Sequence, residues 1–332
     1  MSKITMDKIA AELGISKNTV SRALRGLSGV SDSVREQIIA QAEDMGYRLK
    51  LKQSSILNII MVHRKALMDD IFFWPSVLSG IMNFAADQGV SIRVVTVDNG
   101  KEGGKSLSPI SAQKCDGLLV VGDIDEDSLY QLSGMRMPMV AVDYFSELVD
   151  CDYILSENKN GIYKALKHLI DNNHTKIGFI GNADWRYSFK IRYEAFRYYM
   201  EQFGLPINED HIWMDPSYTN YTYFREKIRL FKDADEAATA WVCINDVMAA
   251  DFAHVLQEEG YSIPDDVSII GFDNSPYPGA QFLTTLEVQV KALGQRAIEQ
   301  LLFKIDAPDK PNEILSINTT LVIRDSVKCL NL

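Results

Sequence analysis

From Ile56 onward the sequence alternates short, nearly unbroken apolar runs with longer amphipathic ones. The apolar runs read ILNIIMV, SIRVVTV, CDGLLVVG, MPMVAVD, KIGFIG, ATAWVCI and VSIIGFD. Between them lie WPSVLSGIMNFAADQG, GIYKALKHLIDNN, RYEAFRYYMEQFG and MAADFAHVLQEEG. A strand with one wet face is apolar at alternate positions, whereas a strand that is apolar throughout is buried on both faces, as parallel strands covered by helices are. The pattern therefore predicts doubly wound α/β layers. It pauses near Asp150 and resumes in similar order, which predicts two such subdomains. In these sheets ligands sit beyond the carboxyl ends of the strands, so polar residues just after strands are site candidates. Asp143 follows MVAV, Asn245 and Asp246 follow AWVCI, Asp273 follows SIIGF, and Arg192 opens the helix RYEAFRYYM. Trp74 and Tyr218 supply aromatic walls for a cleft. Taken singly, each Asp or Asn also fits an ordinary turn or cap.

The first 46 residues follow a different rule. In ITMDKIAAELG, Thr5 sits at a helix start, Met6, Ile9, Ala10 and Leu13 form an apolar stripe, and Gly14 stops the helix. Ser16 caps a second helix, KNTVSRALR, ended by Gly26. Two short helices joined by a tight Gly-containing turn are a helix-turn-helix pattern. At about 100° per residue, Lys17, Asn18, Ser21 and Arg22 share one arc and Val20, Ala23 and Leu24 the opposite one. A Lys, an amide and an Arg on one exposed arc can address base edges in a major groove. Hydroxyls at helix starts suit phosphates. Ser31 caps a third helix with an apolar stripe from Val34 to Met45. The same pattern also fits a small three-helix bundle whose polar face is merely solvated.

Charge separates these parts. Residues 1–55 hold nine Lys/Arg against six Asp/Glu, and the remainder holds 25 against 39. A basic head on an acidic body points the head alone toward a polyanion. Cys115, Cys151, Cys243 and Cys329 show no C-x-x-C or zinc spacing and read as small, mostly buried thiols of a reducing cytosol. The five histidines share no ligand spacing, so no metal is expected. GKEGGKS at residues 100–106 is one residue short of a P-loop, and no G-x-G-x-x-G opens a helix. The acidic run GDIDEDSLY reads as a solvated loop. MSKITMDKIA turns polar at once, without a signal-peptide core, and no run approaches about 18 apolar residues. The expectation is a soluble, cytoplasmic protein with no membrane partner.

The string GISKNTVSRAL, within MDKIAAELGISKNTVSRALRG and continued by VSDSVREQIIAQAEDMGY, resembles the DNA-binding head of the LacI/GalR family of bacterial transcription regulators. That resemblance implies that Lys17, Asn18 and Arg22 read bases and that Thr5, Ser16, Thr19, Ser21 and Ser31 hold phosphates. Arg25 stands where the family usually has Asn and adds a phosphate contact. Farther on, NNHTKIGFIG, KIRYEAF, INDVMAA, IPDDVSIIGFD, FLTTLEVQ and LGQRA resemble the family's effector-binding core, which is itself similar to periplasmic sugar-binding proteins. By the same resemblance Arg192, Asn245 and Asp273 hydrogen-bond a ligand's hydroxyls, with Asp143 beside them. Tyr218 takes the place of an aromatic that stacks on a sugar in some members, and Trp74 matches the aromatic of FFWPSVLSGI.

The expected organisation is an all-α helix-turn-helix head (1–47), a short linker (48–56) and an α/β core (57–330) of two doubly wound parallel-sheet subdomains, periplasmic-binding-protein-like. The N-subdomain takes about 57–156 plus 287–316 and the C-subdomain about 157–286 plus 317–330. The linker departs from the family: Leu49, Lys50, Leu51 and Lys52 alternate as a strand does, and eight residues reach roughly 26 Å extended. No DNA-wedging hinge helix is expected there. The implied function is a ligand-responsive regulator without cofactor or enzymatic activity, a homodimeric repressor of a carbohydrate-utilisation operon. It binds double-stranded operator DNA at half-sites about one helical turn apart and a sugar-like effector between subdomains. Two other classes stay open: a solute-binding or sensing protein whose core acts without operator binding, and an α/β enzyme built on the Asp/Asn/Arg cluster, for which no nucleophile–base pairing is visible.

Overall fold

The computed structural model describes residues 5–24, 29–45, 56–97, 107, 110, 114–214, 221–232 and 237–331. The chain divides into two compact units, one ending at Ile56 and one beginning at Leu57. Arg25, the linker 48–55, GKEGGKS and Tyr218 lie outside the described residues.

In the first unit, α1 (Met6–Leu13), α2 (Lys17–Leu24) and α3 (Asp32–Asp44) enclose a small core. Ile9, Ala10, Val20, Ala23, Ile38 and Ala42 are buried there. Gly14 turns the chain between α1 and α2 with φ 65°, the left-handed region that glycine enters without strain. Ser16 Oγ accepts from Thr19 N at 3.0 Å and so caps α2. Thr5 occupies the N-cap position of α1, but its hydroxyl makes no cap bond. Arg35 Nη1 donates to the Ala23 carbonyl at 3.2 Å, tying α3 to the end of α2.

The second unit holds two six-stranded sheets. The first contains β1 (Leu57–Arg64), β2 (Val90–Val97), β3 (Gly117–Val121), β4 (Met139–Val142), β5 (Asp152–Ser156) and β11 (Ile314–Ile317), in the order β11-β5-β4-β3-β1-β2. All of its pairings are parallel. The second contains β6 (Ile177–Gly181), β7 (Ile212–Met214), β8 (Ala240–Cys243), β9 (Ser268–Asp273), β10 (Thr284–Glu287) and β12 (Thr320–Val322), in the order β12-β10-β9-β8-β6-β7. Only the β10–β12 pairing is antiparallel. The fully apolar runs β3, β4, β6 and β8 are buried at every position, as their composition requires. Each sheet with its helices forms a lobe, and the chain passes between lobes three times, at residues 156–158, 287–290 and 317–320.

Helices cover the sheets: α4 (Trp74–Asp87), α5 (Glu126–Ser133), α6 (Asn158–Asp171), α7 (Tyr187–Gln202), α8 (Tyr221–Lys232), α9 (Asp246–Glu258) and α10 (Val290–Asp306). Two of them correct the sequence reading. GDIDEDSLY is not a solvated loop: Asp125 Oδ1 accepts from Ser128 N at 2.9 Å, and Glu126 and Asp127 fill the first turn of α5. Carboxylates there favour a helix, and Leu129 and Leu132 are buried beneath them. Arg192 does not open its helix either, because α7 begins five residues earlier at Tyr187. Buried Ser188 and Phe189 anchor that extra turn, which its polar neighbours disguise.

Candidate DNA-reading head and effector cleft

On α2, Lys17 and Asn18 are exposed, Ser21 and Arg22 are half-buried, and Val20 and Ala23 face the core. Lys17 Nζ lies 2.9 Å from Asp7 Oδ2 on α1, with both side chains more than 60% exposed. A pair that exposed holds Lys17 weakly and releases it cheaply to a phosphate or base. The Arg22 guanidinium lies over Gly29, where a Cβ would stand 3.1 Å from Nη2. Gly29 has φ 89°, so its backbone conformation and this close approach both favour glycine. Ser16 and Thr19 hydroxyls are 2.8 Å apart, and Ser31 is exposed ahead of α3. The head thus presents one amide and two cationic side chains beside a row of hydroxyls.

In the second unit the carboxyl ends of both sheets meet at a cleft. Arg192, only 1% exposed, is its centre. Its Nε donates to Asn158 Oδ1 at 2.8 Å, its Nη1 to the Ile244 carbonyl at 2.7 Å, and its Nη2 lies 3.0 Å from Asp273 Oδ1. The last contact is an ion pair off the line of a good hydrogen bond. The guanidinium also stacks over Phe272, 3.7 Å from the ring centre.

Asp143, just past β4, and Asp273, the last residue of β9, have φ 53° and 108°, both in the left-handed region. Non-glycine residues held there are strained, and such strain gathers at ligand sites. Ser156 Oγ donates to Asp143 Oδ1 at 2.9 Å. Burial pushes the Asp143 carboxyl up to about 6, opposed by Arg192 and Ser156. Burial pushes Asp273 up to about 7, opposed by Arg192 and reinforced by Asp70 and Asp143. Asp246 is also raised to about 7 by burial and by Asp273. It accepts from Thr285 Oγ1 and Ser275 N, both at 2.7 Å, and packs so closely on Gly271 that a Cβ there would collide with Oδ1. Asn245 is buried, and its Oδ1 caps α9 by accepting from Met248 N at 3.0 Å. That oxygen is committed to the helix rather than to a ligand.

Trp74 is 1% exposed, with an indole Nε1 that finds no hydrogen-bond partner among the described residues, and it lines a cavity of about 200 Å³. Arg64, Ala66, Leu67, Asp123, Trp185 and Arg186 complete the lining. Gly122, at φ 71°, brings β3 against Leu67 and Trp74 where any Cβ would clash. The lobes touch here: Arg186 Nη2 lies 3.4 Å from Asp70 Oδ2, Asp123 Oδ1 accepts from Tyr187 N at 2.8 Å, and Phe72 packs edge-on to Tyr277. Burial raises the Asp123 carboxyl.

The structure thus brings Asp143, Arg192 and Asp273 together, with Asn245 at the neighbouring strand end and Trp74 on the cavity wall. Sequence reasoning missed Asp70, Asp123, Asn158, Trp185 and Arg186. Asp123 follows the strand GLLVVG as Asp143 follows MVAV, so the strand-end rule reaches it. Arg186 and Trp185 sit in a polar loop without periodicity and carry no comparable signal. Among the described residues no His/Cys/Asp/Glu group can hold a metal, and no helix is long and apolar enough to cross a membrane.

Residues 5–49 match the family of bacterial regulatory proteins of the lacI type, and residues 166–327 match the periplasmic binding protein-like domain. A curated relative, the HTH-type transcriptional repressor PurR of Photobacterium profundum, is 28% identical, covering 98% of this chain and 99% of its own. A solved structure of a transcriptional regulator CelR–cellobiose complex superposes with TM-score 0.71 at 21% identity, over 97% of this chain and 99% of that one. The lac repressor dimer bound to operator and the anti-inducer ONPF gives TM-score 0.71 at 18% identity, over 98% of this chain and 100% of that one. A LacI family regulator from Enterococcus faecium with bound ribose gives 0.66 at 22%, over 82% and 100%.

Proposed function

The chain joins a lacI-type DNA-binding domain to a periplasmic-binding-protein-like domain and belongs to the lacI family of bacterial regulators, and from that premise we propose that it is a cytoplasmic, homodimeric repressor released or recruited by a small effector. The observation that carries the effector role is the buried Asp143–Arg192–Asp273 cluster, which takes one carboxylate from each lobe and one guanidinium between them. Such a cluster can exchange hydrogen bonds with a ligand only while the lobes are in one arrangement. The ligand's differential affinity for that arrangement then sets the response. Lys17, Asn18 and Arg22 read the operator and the hydroxyls beside them hold its phosphates. The linker adds Lys50 and Lys52 near the backbone without a minor-groove wedge, so operator bending is small.

A sugar or sugar phosphate is the first reading of the effector, and a carbohydrate-utilisation operon the first reading of the target. Hydroxyls suit a site of paired carboxylate and guanidinium, and two of the solved neighbours hold cellobiose and ribose. Trp74, Trp185 and Arg186 around one cavity favour a second reading, a planar purine-like base, in keeping with relatives named PurR. The test is a thermal-shift screen of sugars, sugar phosphates and purines. Each hit is then titrated against an operator selected from random duplexes. A hit that moves operator affinity supports the reading, and hits of one chemical class decide between its two forms. Specific duplex binding that no cleft ligand alters, or turnover of a sugar, would overturn it.

A further inference from the structure

The two lobes are joined by a buried polar chain that runs along a crossover of the backbone. Ser156 ends β5 in the first lobe and Asn158 begins α6 in the second. From Asp143 the chain passes to Ser156 Oγ at 2.9 Å. The Ser156 carbonyl accepts from Asn158 Nδ2 at 3.0 Å, and Asn158 Oδ1 accepts from Arg192 Nε at 2.8 Å. Arg192 then meets Asp273. Asp143, Ser156, Asn158 and Arg192 are each at most 5% exposed. Asn158 alone among the named partners of the guanidinium lies on the crossover, since Ile244 and Asp273 belong to strand ends of the second lobe. It must accept from an N–H and donate to a carbonyl at once, and a side-chain amide supplies both. A carboxylate has no donor, and a serine hydroxyl lacks the reach.

We propose that Asn158 is a positioning residue of the effector site: it holds the Arg192 guanidinium between a carboxylate of each lobe, so that a change at either carboxylate is transmitted to the crossover. The designation of the site as an effector site rests on the function proposed above; the hydrogen-bond chain does not. Buried groups without a fixed partner drift or draw in water. Freed from Asn158, Arg192 no longer offsets the burial of Asp143 and Asp273 in full. The other charges facing these two are Asp70 and Asp123 from the first lobe, with Asp246 beside Asp273 and Arg186 beside Asp70. All of them are unchanged by a substitution at residue 158.

The experiment compares the full-length protein with Asn158→Ala and Asn158→Asp, without added ligand and at one protomer concentration. Melting temperatures are taken from about pH 5 to about pH 8.5. Both carboxyls are mostly protonated at the low end and ionised at the high end, so loss of a well-placed Arg192 costs more as pH rises. The melting gap between Asn158→Ala and wild type is expected to widen by several degrees over that range. In parallel, the Arg192 Nε–Hε resonance, identified by its loss in Arg192→Lys, should be protected from solvent exchange in wild type and Asn158→Asp and unprotected in Asn158→Ala. A gap constant with pH, or a protected resonance in Asn158→Ala, reduces Asn158 to an ordinary structural residue and overturns the proposal. Should Asn158→Ala not fold, Asn158→Ser takes its place with the same expectations. No effector enters the measurement, so a failed ligand screen and a failed positioning role are read separately.

Discussion

Replacing Asp273 with Asn tests the electrostatics of the cleft most directly. The side chain is 12% exposed and its carboxyl is raised from 3.8 to about 7, chiefly by burial. The folded value lies above the unfolded one. The folded protein therefore keeps a proton that the unfolded chain gives up, and the stability this contributes is present below the unfolded value and lost as pH rises through the folded one. At about 1.4 kcal/mol per pH unit, the gap between those values makes the full loss about 4 kcal/mol. Asparagine keeps the shape and cannot ionise, so Asp273→Asn escapes the loss. Removing the charge also relieves Asp246, which works in the same direction. About 2.7 kcal/mol of that loss falls between about pH 5 and about pH 8, so the variant should gain on wild type over that range by roughly 5 °C at about 2 °C per kcal/mol. Calorimetry at fixed protomer concentration reads the difference, and groups common to both proteins largely cancel. A variant that falls behind wild type as pH rises would refute the reasoning. That result would mean the Arg192 pair outweighs the cost of burying the ionised carboxylate.

Two further substitutions probe the packing and the head. Gly294→Ala puts a Cβ 2.4 Å from the Val77 carbonyl oxygen and 2.6 Å from Ile81 N, both backbone atoms that cannot swing aside. Forcing α4 off α10 should lower stability by about 1–3 kcal/mol, visible as a depressed melting temperature of the second unit. Ser16→Ala removes the 3.0 Å cap bond from Thr19 N and leaves that N–H without its side-chain acceptor. The head should lose about 1 kcal/mol of stability, read by helical circular dichroism on heating, and operator affinity should fall with it.

What the sequence disclosed follows from how locally each signal is written. β3 and β8 announce themselves because burial on both faces forces every residue to be apolar. The outer strands do not: β11 alternates exposed and half-buried positions over four residues and β12 has one exposed and two half-buried residues, too short for a period to register. Asp143 and Asp273 were legible from their place at the carboxyl ends of strands, a rule of topology. Their left-handed backbone was not, because nothing in a neighbouring side chain requires it. Asn158 was hidden for a different reason. It reads as an ordinary helix-start residue, and its role exists only because Arg192, 34 positions away, reaches it. Asn245 shows the converse, a residue well placed for a ligand whose oxygen the local helix takes first.

The turn from Asp70 to Trp74 explains how occupancy of the cleft can matter beyond it. Asp70 Oδ1 accepts from Phe72 N at 3.3 Å and Phe73 N at 3.1 Å, which shapes the turn, while Oδ2 faces Arg186 of the other lobe. The same turn sets Phe72 against Tyr277 and starts α4, whose Gly80 approaches Lys291 of α10 too closely for any Cβ. A ligand group that takes Arg186 from Asp70 therefore loosens a lobe contact and the turn that leads into a tightly packed helix together. Packed helices with backbone in contact shift between discrete arrangements rather than bending smoothly. A tenfold change in operator affinity requires a differential of about 1.4 kcal/mol between two such arrangements. Exchange of one charge-assisted hydrogen bond, worth about 1.5–3 kcal/mol, is enough to supply it. The Asp70–Arg186 ion pair, partly buried at 3.4 Å, is where a ligand can make such an exchange, without any large rearrangement of the buried Arg192 cluster.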